Sequence, residues 1–349
     1  MSTAVTDRSR PAGSAGPTDS RRLTDRIFRI RESGIVAVLI VFVAVTTAVQ
    51  HRFLSSTNIT FVLTNTTVFA LLALGETMVV ISRNVDLSIG SVLGLSAYVS
   101  ANLFGKVHGI PIMAVFAVGI GIGLACGLAN GLMVSLGRVP SLVVTLATLY
   151  IVRGTDILIV GGNEVIASTL PPGFIQIARA NVGGVPYLAI AIAAVIGIGA
   201  YYLRSYRSGR ELYAIGSSPE AAGLAGIPVA RRVCTAFAVS GVIAGIAGVL
   251  WAAEYQTVDS TAGTGYELSV IAAVVVGGVA IFGGSGSVVG AGIGALLLGT
   301  INSALYVLGI SPFWDQAIAG FLLLLAISLD RAIAVRLLAA LRLRSSRAR

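Results

Sequence analysis

The sequence predicts an all-α integral membrane protein of about ten transmembrane helices, and two observations support this fold class. Of the 349 residues, 56% are hydrophobic and 11% are charged, whereas soluble domains carry roughly 25% charged residues. Long apolar runs, near the ~20 residues that a spanning helix needs, recur from residue 34 onward. A chain with so few charges cannot cover a water-facing surface, so a soluble protein is excluded.

Ten segments are long and apolar enough to be spans, with borders good to a few residues. Several are rich in Gly, Ala and Ser, which favours close packing between helices. Because the connectors are short, we expect a single membrane domain over residues 34–330. The ten segments are 34–50, 59–82, 87–104, 110–136, 141–160, 185–203, 229–252, 266–282, 286–309 and 313–330.

Basic tails are predicted at both ends, over residues 1–33 and 331–349. The first tail is rich in Pro, Gly, Ser and Arg, which predicts disorder up to about Leu23. The pattern from Leu23 to Glu32 then suits a short amphipathic helix along the inner membrane surface.

The distribution of Lys and Arg predicts the orientation. With the N-terminus inside, all 24 except Arg52, Lys106, Arg179 and Arg153 fall on the inner side. Inner connectors of membrane proteins carry such an excess of positive charge. Both termini are therefore expected to be cytoplasmic, which requires an even number of spans.

A weak internal repeat agrees with this count. The segments "GIGLACGLANGLMVSLGRVP" (121–140) and "GIGALLLGTINSALYVLGISP" (292–312) share Gly-Ile-Gly, a later asparagine, a glycine seven residues beyond it and then a proline. In the predicted topology the two copies run in opposite directions. This arrangement is typical of a five-plus-five inverted repeat.

Polar residues inside the spans are candidates for function, because they are costly in a bilayer. Four of them could line a polar pathway or form hydrogen bonds between helices. Four others have a structural interpretation: an ion pair three residues apart, and two carboxylates that cap the starts of spans. The pathway candidates are Asn65, Glu76, Asn130 and Asn302, and the structural ones are Arg153 with Asp156, and Asp86 and Glu267.

Motifs for catalysis or cofactor binding are missing from the sequence. Lys106, the single lysine, lacks the spacing of a phosphate-binding loop. His51 and His108 stand alone in outer connectors, and Cys126 and Cys234 are far apart, so we expect no metal site, no disulfide and no cofactor. The expected protein is therefore not an enzyme.

One hydrophilic segment, "SYRSGRELYAIGSSPEAAGLAGIPVARR" (205–232), interrupts the apolar chain. Its centre carries a complete set of helix signals: Ser217 or Ser218 as N-cap, Pro219 in the first turn, Glu220 near the positive end of the dipole, and Gly226 as terminator. We expect a helix of about two turns on the cytoplasmic side.

Several motifs together resemble the permease subunits of ribose-type ABC sugar importers of bacteria. They are "NVDLSIGSVLGLSA" (84–97), "GLANGLMVSLGRVPSLVVTLATLYIVRG" (127–154), "ELYAIGSSPEAAGLAGIPV" (211–229) and "VVVGGVAIFGGSGSVVGAGIGALLLGTINSAL" (274–305). The resemblance implies a multi-pass protein of the bacterial cytoplasmic membrane. It also implies that Glu220, Ala221, Ala222 and Gly226 form the coupling helix that docks on a separate ATPase.

The resemblance further implies the partners. They are a cytoplasmic ATPase subunit that binds ATP and Mg, an extracytoplasmic sugar-binding protein, a second permease subunit of the same or another chain, and membrane lipid, but no nucleic acid. The expected cargo is a monosaccharide similar to ribose, xylose or rhamnose, or autoinducer 2; the wording is most similar to the rhamnose and autoinducer-2 branch. Two alternatives stay open: an ABC permease for nucleosides or branched-chain amino acids, and an ion-driven transporter that uses Glu76.

Overall fold

The computed structural model describes the backbone of residues 17–328 and 331, and the side chains from residue 33 onward within these limits. Apart from Arg331, the predicted C-terminal tail lies outside the described residues. Residues 1–16 of the N-terminal tail do so as well.

The described residues form thirteen α-helices. Two single 3-10 turns, His51–Leu54 and Ala167–Thr169, and an antiparallel hairpin of β1 (Asn181–Val182) and β2 (Val185–Pro186) lie in the connectors. The helices are α1 (Pro17–Val49), α2 (Ser56–Ile81), α3 (Ile89–Lys106), α4 (Ile112–Ser135), α5 (Ser141–Val160), α6 (Pro172–Arg179), α7 (Tyr187–Ser205), α8 (Arg207–Ser217), α9 (Pro219–Leu224), α10 (Val229–Tyr255), α11 (Tyr266–Val276), α12 (Val288–Val307) and α13 (Trp314–Ser328).

Six helices of the described chain are long and apolar enough to cross a membrane: α2, α4, α5, α7, α10 and α12. Shorter apolar helices are α11, α13 and the part of α1 from Ser33 to Val49. With α3, a helix coincides with each of the ten predicted segments. The architecture is that of an α-helical, multi-pass membrane protein.

Two borders differ from the sequence prediction. Helix α1 begins at Pro17 and runs without a break into the first apolar segment, so residues 17–23, which we expected to be disordered, are helical. Helix α11 ends at Val276, not near residue 282. Left-handed backbone at Gly278, Gly283 and Gly284 turns the chain, because glycine adopts positive φ without a Cβ clash.

Helix α2 lies at the centre of the bundle. Its residues from Ala70 to Ile81 are all buried, and it contacts α7, α10, α11 and α12. The longest seam, however, joins α4 to α10. Both helices contribute glycines to this contact.

The α4–α10 seam is built from glycines spaced by four. Gly119, Gly123, Gly127 and Gly131 of α4 lie on one helix face, and a Cβ on any of them would press on the α10 backbone or its side chains. Backbones that approach this closely gain contact area that larger residues would block. The pairing of Gly119 with Gly245 and of Gly131 with Cys234 also shows that the helices are antiparallel. The C-terminal end of α4 therefore lies beside the start of α10, and we call this side of the bundle the α9 end.

We expect Gly123→Ala to destabilise the protein, because its Cβ would collide with the backbone carbonyl of Gly241. Overpacking of this kind costs roughly 1–3 kcal/mol. The matched control is Gly121→Ala on the same helix, where a Cβ meets open space and should stabilise the helix by up to about 1 kcal/mol. Thermal unfolding of the two detergent-solubilised variants checks this; equal midpoints would contradict the seam.

Candidate functional site

A cavity of about 840 Å³ opens at the end of the bundle opposite α9. Two of the four predicted pathway residues, Asn65 and Asn302, line it together, although they belong to α2 and α12. Aromatic, hydroxyl and amide side chains supply most of the remaining wall. The lining residues are Gln50, Arg52, Ser55, Thr57, Asn58, Phe61, Asn65, Phe69, Tyr255, Tyr266, Gly299, Asn302, Tyr306, Val307 and Asp315.

The aromatic wall of the cavity is held in place by its own contacts. The Tyr255 hydroxyl donates to Oδ1 of Asn65 at 2.8 Å, and Phe69 stacks on Tyr266 with ring centroids 4.4 Å apart. Phe61 meets Tyr306 edge to face at 6.2 Å. Amides can donate to and accept from hydroxyl groups, and ring faces pack on C–H surfaces, so the wall suits a small polar ligand with apolar faces.

The other two pathway candidates, Glu76 and Asn130, lie in a separate buried network. Asn130 donates to Ser88 Oγ at 2.9 Å and accepts from Thr148 Oγ1 at 2.6 Å. The Asp86 backbone N–H donates to Glu76 Oε1 at 3.1 Å. Asp86 Oδ1 in turn accepts from the Ser88 hydroxyl at 2.6 Å. The network fixes the connector between α2 and α3 to its neighbours.

Asp86 and Glu267 were predicted to cap spans; they lie at the starts of α3 and α11, but the N-cap positions are Ser88 and Gly265. Asp86 also accepts from the Ser88 backbone N–H at 2.9 Å, immediately before α3, and Glu267 lies in the first turn of α11. The two helix starts face each other, because a Cβ at Gly90 of α3 would collide with Glu267 and with the carbonyl of Gly263.

The predicted Arg153–Asp156 pair is present, with Arg153 NH1 3.7 Å from Asp156 Oδ2. Arg153 binds the backbone more closely: NH1 donates to the carbonyls of Ala262 at 2.7 Å and Ser260 at 3.2 Å. Since these carbonyls belong to the connector between α10 and α11, the arginine ties α5 to that connector.

Helix α9 has the caps that its sequence predicts. Ser218 is the N-cap, and its Oγ accepts from the Ala221 N–H at 3.2 Å. At the other end the Gly226 N–H donates to Gly223 and the Ile227 N–H to Ala222, both at 3.0 Å. This is a Schellman motif, which needs a left-handed residue after the helix. Gly226 provides it with φ +78°.

The four residues that the resemblance assigned to docking do not share one face. Glu220, Ala221 and Gly226 are exposed, whereas Ala222 is buried, with 5% of its surface accessible. The most prominent residue is one that the sequence analysis missed, Leu224, which is 92% exposed. The available signal was that Leu224 is the one large apolar side chain of α9.

Helix α8 anchors α9 to the bundle. Glu211 of α8 is buried and accepts from Arg207 at 2.8 Å and from Arg232 of α10 at 2.5 Å. The Tyr213 hydroxyl donates to the Gly286 carbonyl at 3.0 Å. Gly216 has no room for a Cβ against the Ile81 carbonyl at the end of α2. A displacement of α9 would therefore reach α2, α10 and the α11–α12 connector.

A cleft of about 1020 Å³ lies beside α9 and reaches Asn84 and Ser141, next to the buried network. Arg83 and Arg138 are at its edge, and both have left-handed backbone, with φ +68° and +55°. This conformation costs a non-glycine residue roughly 1–2 kcal/mol. Both arginine side chains are exposed, so the cleft has two positive charges at the α9 end.

Comparisons with known proteins agree with this architecture. A family model described as the permease component of branched-chain amino acid transport systems matches residues 58–327. The chain belongs to this permease family. The match leaves out all of α1, and it includes α9 and eleven of the fifteen residues that line the cavity.

Several curated import permeases are similar over most of their length. The ribose import permease of Escherichia coli K12 is 33% identical over 317 residues, which is 89% of this chain and 96% of the relative. The autoinducer 2 import permease of Enterobacter sp. strain 638 is 34% identical, covering 85% of each chain. The galactose/methyl galactoside import permease of E. coli K12 is 32% identical, covering 86% of this chain and 94% of the relative. No solved structure matches the chain.

These relatives confirm the resemblance that the sequence motifs indicated. The chain is a permease subunit of an ATP-binding-cassette importer, a multi-pass membrane protein and a transport subunit rather than an enzyme.

The Glu211 ion pairs predict a pH-dependent stability. The hydrogen bond from Arg232 is the main cause that lowers the pKa of the Glu211 carboxyl below its ordinary value. The carboxylate therefore stabilises the fold at neutral pH, and this contribution is lost as the pH falls below about 4.3. Glu211→Gln should lower the unfolding midpoint at pH 7, and this deficit should shrink as the pH is lowered below about 4.3.

The matched control for Glu211→Gln is Glu164→Gln, which changes an exposed carboxylate in a connector at the opposite end. Its unfolding midpoint should follow the wild type at every pH. A Glu211→Gln deficit that is the same at pH 7 and pH 3 would show that the charge of Glu211 is not what stabilises α8.

Proposed function

We propose that the chain carries a monosaccharide inward across the bacterial cytoplasmic membrane, driven by ATP that a separate subunit binds and hydrolyses with Mg. The cavity that brings Asn65 and Asn302 together among tyrosines and phenylalanines carries this proposal. A sugar has hydroxyl groups, with which amide side chains can form hydrogen bonds, and C–H faces, on which aromatic rings can pack. The relatives named for ribose, autoinducer 2 and galactose support the same cargo class.

The proposed topology has ten spans, cytoplasmic termini and two inverted halves. The spans are the six long apolar helices with α1, α3, α11 and α13. Support for the inverted halves comes from the facing starts of α3 and α11, each marked by an acidic residue followed by Leu-Ser, at Asp86 and at Glu267. Broken helices that meet at a pseudo-twofold axis are a feature of inverted-repeat transporters.

In this topology the cavity opens to the outside and receives sugar from an extracytoplasmic binding protein. The cleft beside Arg83 and Arg138 is then the inner end of the pathway, with Glu76 and Asn130 between the two openings. A second permease subunit, identical or related, closes the open side of each cavity.

Coupling takes place at α9, with Glu220, Ala221 and Leu224 as the face that contacts the ATPase. Gly226 keeps the end of the helix in its turn, and Ala222 packs against the chain's own core. The support is mechanical, since α8 transfers a push on α9 to α2, to α10 and to the α11–α12 connector through Gly216, Glu211 and Tyr213.

A second candidate cargo is an amino acid. The matching family model is described for branched-chain amino acids, and the cavity holds one residue of each charge, Arg52 and Asp315, which could bind a carboxylate and an ammonium group. The sugar is preferred because it also accounts for the amide and aromatic wall.

Uptake into proteoliposomes tests the proposal and its alternatives. The permease is reconstituted with the ATPase that co-purifies with it, ATP is enclosed, and labelled ribose, rhamnose, galactose and leucine are compared. We expect uptake of a sugar that needs ATP and persists when ionophores abolish the membrane potential and ion gradients. Uptake that stops with the ionophores would favour an ion-driven transporter, and uptake of leucine alone would favour the amino acid.

We expect Asn65→Leu and Asn302→Leu each to lower kcat/KM for the transported sugar roughly threefold to tenfold. Each substitution removes one hydrogen bond of about 0.5–1.5 kcal/mol. Asn181→Leu, an exposed position in β1 outside the cavity, is the control and should transport normally. If all three variants behave alike, the cavity is not on the pathway.

We expect Leu224→Ser to weaken ATPase binding roughly tenfold to a hundredfold, because burying a leucine contributes about 1.5–3 kcal/mol. Leu224→Met keeps the apolar volume and should bind like the wild type. Retention of the ATPase on the immobilised permease at increasing dilution measures the effect. Unchanged retention of Leu224→Ser would remove α9 from the interface.

A further inference from the structure

A second groove lies at the α9 end, on the outside of the bundle between the end of α4 and the start of α10. Its volume is about 520 Å³, within the range of about 300–1,000 Å³ that is usual for small-ligand sites. The wall is almost entirely apolar. Its lining residues are Leu132, Ser135, Leu136, Pro228, Val229, Ala230, Arg231, Cys234 and Thr235.

The position of the groove indicates contact with the bilayer. Helices α4 and α10 are both long enough to span a membrane, and the groove lies where they reach its surface. Leu132 and Leu136, on the rim, are 47% and 68% exposed. Contact of these exposed leucines with lipid acyl chains is favourable, whereas their contact with water is unfavourable.

Arg231 gives the groove its charge. The side chain is exposed, and among the described residues it makes neither an ion pair nor a hydrogen bond. The adjacent Arg232 differs, because Glu211 binds it at 2.5 Å. The groove is therefore an apolar slot with a free guanidinium and no carboxylate in its lining.

We propose that this groove binds one anionic phospholipid, with an acyl chain against Leu132, Leu136 and Ala230 and the phosphate on Arg231. Guanidinium matches phosphate in a bidentate geometry, and a basic residue beside an anionic membrane surface contributes about 1 kcal/mol. A soluble anion would leave the apolar slot in water, and a neutral lipid would leave Arg231 unpaired. The inference is independent of the cargo and of the ATPase.

The lipid would also brace the helix that precedes the groove. Pro228 and Val229 follow Gly226 and Ile227, which end α9 by the Schellman motif. An acyl chain packed on Pro228 would therefore hold the junction of α9 and α10 in place from the membrane side.

Native mass spectrometry of the full-length protein in detergent tests the proposal. Dioleoyl phosphatidylglycerol and dioleoyl phosphatidylcholine, with identical chains, are titrated separately. We expect the first bound phosphatidylglycerol to have a dissociation constant roughly fivefold lower, and inorganic phosphate not to displace it. Equal dissociation constants would overturn the proposal, and displacement by phosphate would replace it with a free-anion site.

Two arginine variants locate the effect. Arg231→Gln should abolish the preference for phosphatidylglycerol, whereas Arg204→Gln, an exposed arginine in the last turn of α7, should keep it. A preference that survives Arg231→Gln, or is lost equally in both variants, would contradict a site at Arg231.

A third experiment fills the groove with a larger side chain. Ala230→Trp should prevent tight binding of both lipids while leaving the mass of the assembly unchanged. If lipid binding persists and subunit assembly changes, the groove is an interface with a second copy and the proposal is wrong. If this variant does not fold, the comparison of Arg231→Gln with Arg204→Gln decides alone.

Discussion

The rest of the structure depends on one constraint: where a helix is interrupted inside an apolar bundle, the protein must satisfy the exposed backbone groups itself. Three connectors do so by different means. A Glu76 carboxylate accepts from the Asp86 N–H before α3, Arg153 donates to two carbonyls before α11, and the Gly284 N–H donates to the Ile81 carbonyl at 2.9 Å after it. Two charged residues inside this membrane protein, Glu76 and Arg153, thus bind its own backbone.

The same contacts connect regions that the sequence separates. Ile81 is the last residue of α2. Its carbonyl accepts a hydrogen bond from the Gly284 N–H of the α11–α12 connector and also lies against Gly216 of α8. The helix that the family resemblance assigns to the ATPase is therefore, through Gly216 of α8, close to the end of α2 and to the α11–α12 connector. In the proposed coupling, a displacement of α9 would therefore pass through only a few residues before it reached these regions.

The sequence predicted the helices better than the site. Helix α5 has the borders predicted for it, 141–160, with Pro140 before it and the left-handed Gly161 after it. The predicted end of α11 was wrong, because a run of glycines turns the chain soon after Val276. Asn65 and Asn302 were chosen for their polarity, but neither their meeting nor the surrounding aromatic wall could be predicted, since both depend on packing between helices distant in sequence. The burial of Ala222 and the exposure of Leu224 could not be predicted either, because a helix of six residues is too short for its sequence pattern to show which face packs on the protein.

The glycine seam also decides where the molecule can bend. With backbone against backbone along α4 and α10, a shift of one helix by a single residue would bring carbonyls into collision, so the two helices form one rigid body. Alternation between outward and inward states must then use other boundaries. The hinges should fall in the connectors on either side of α11, where glycines such as Gly263, Gly278 and Gly286 have the φ and ψ freedom that other residues lack.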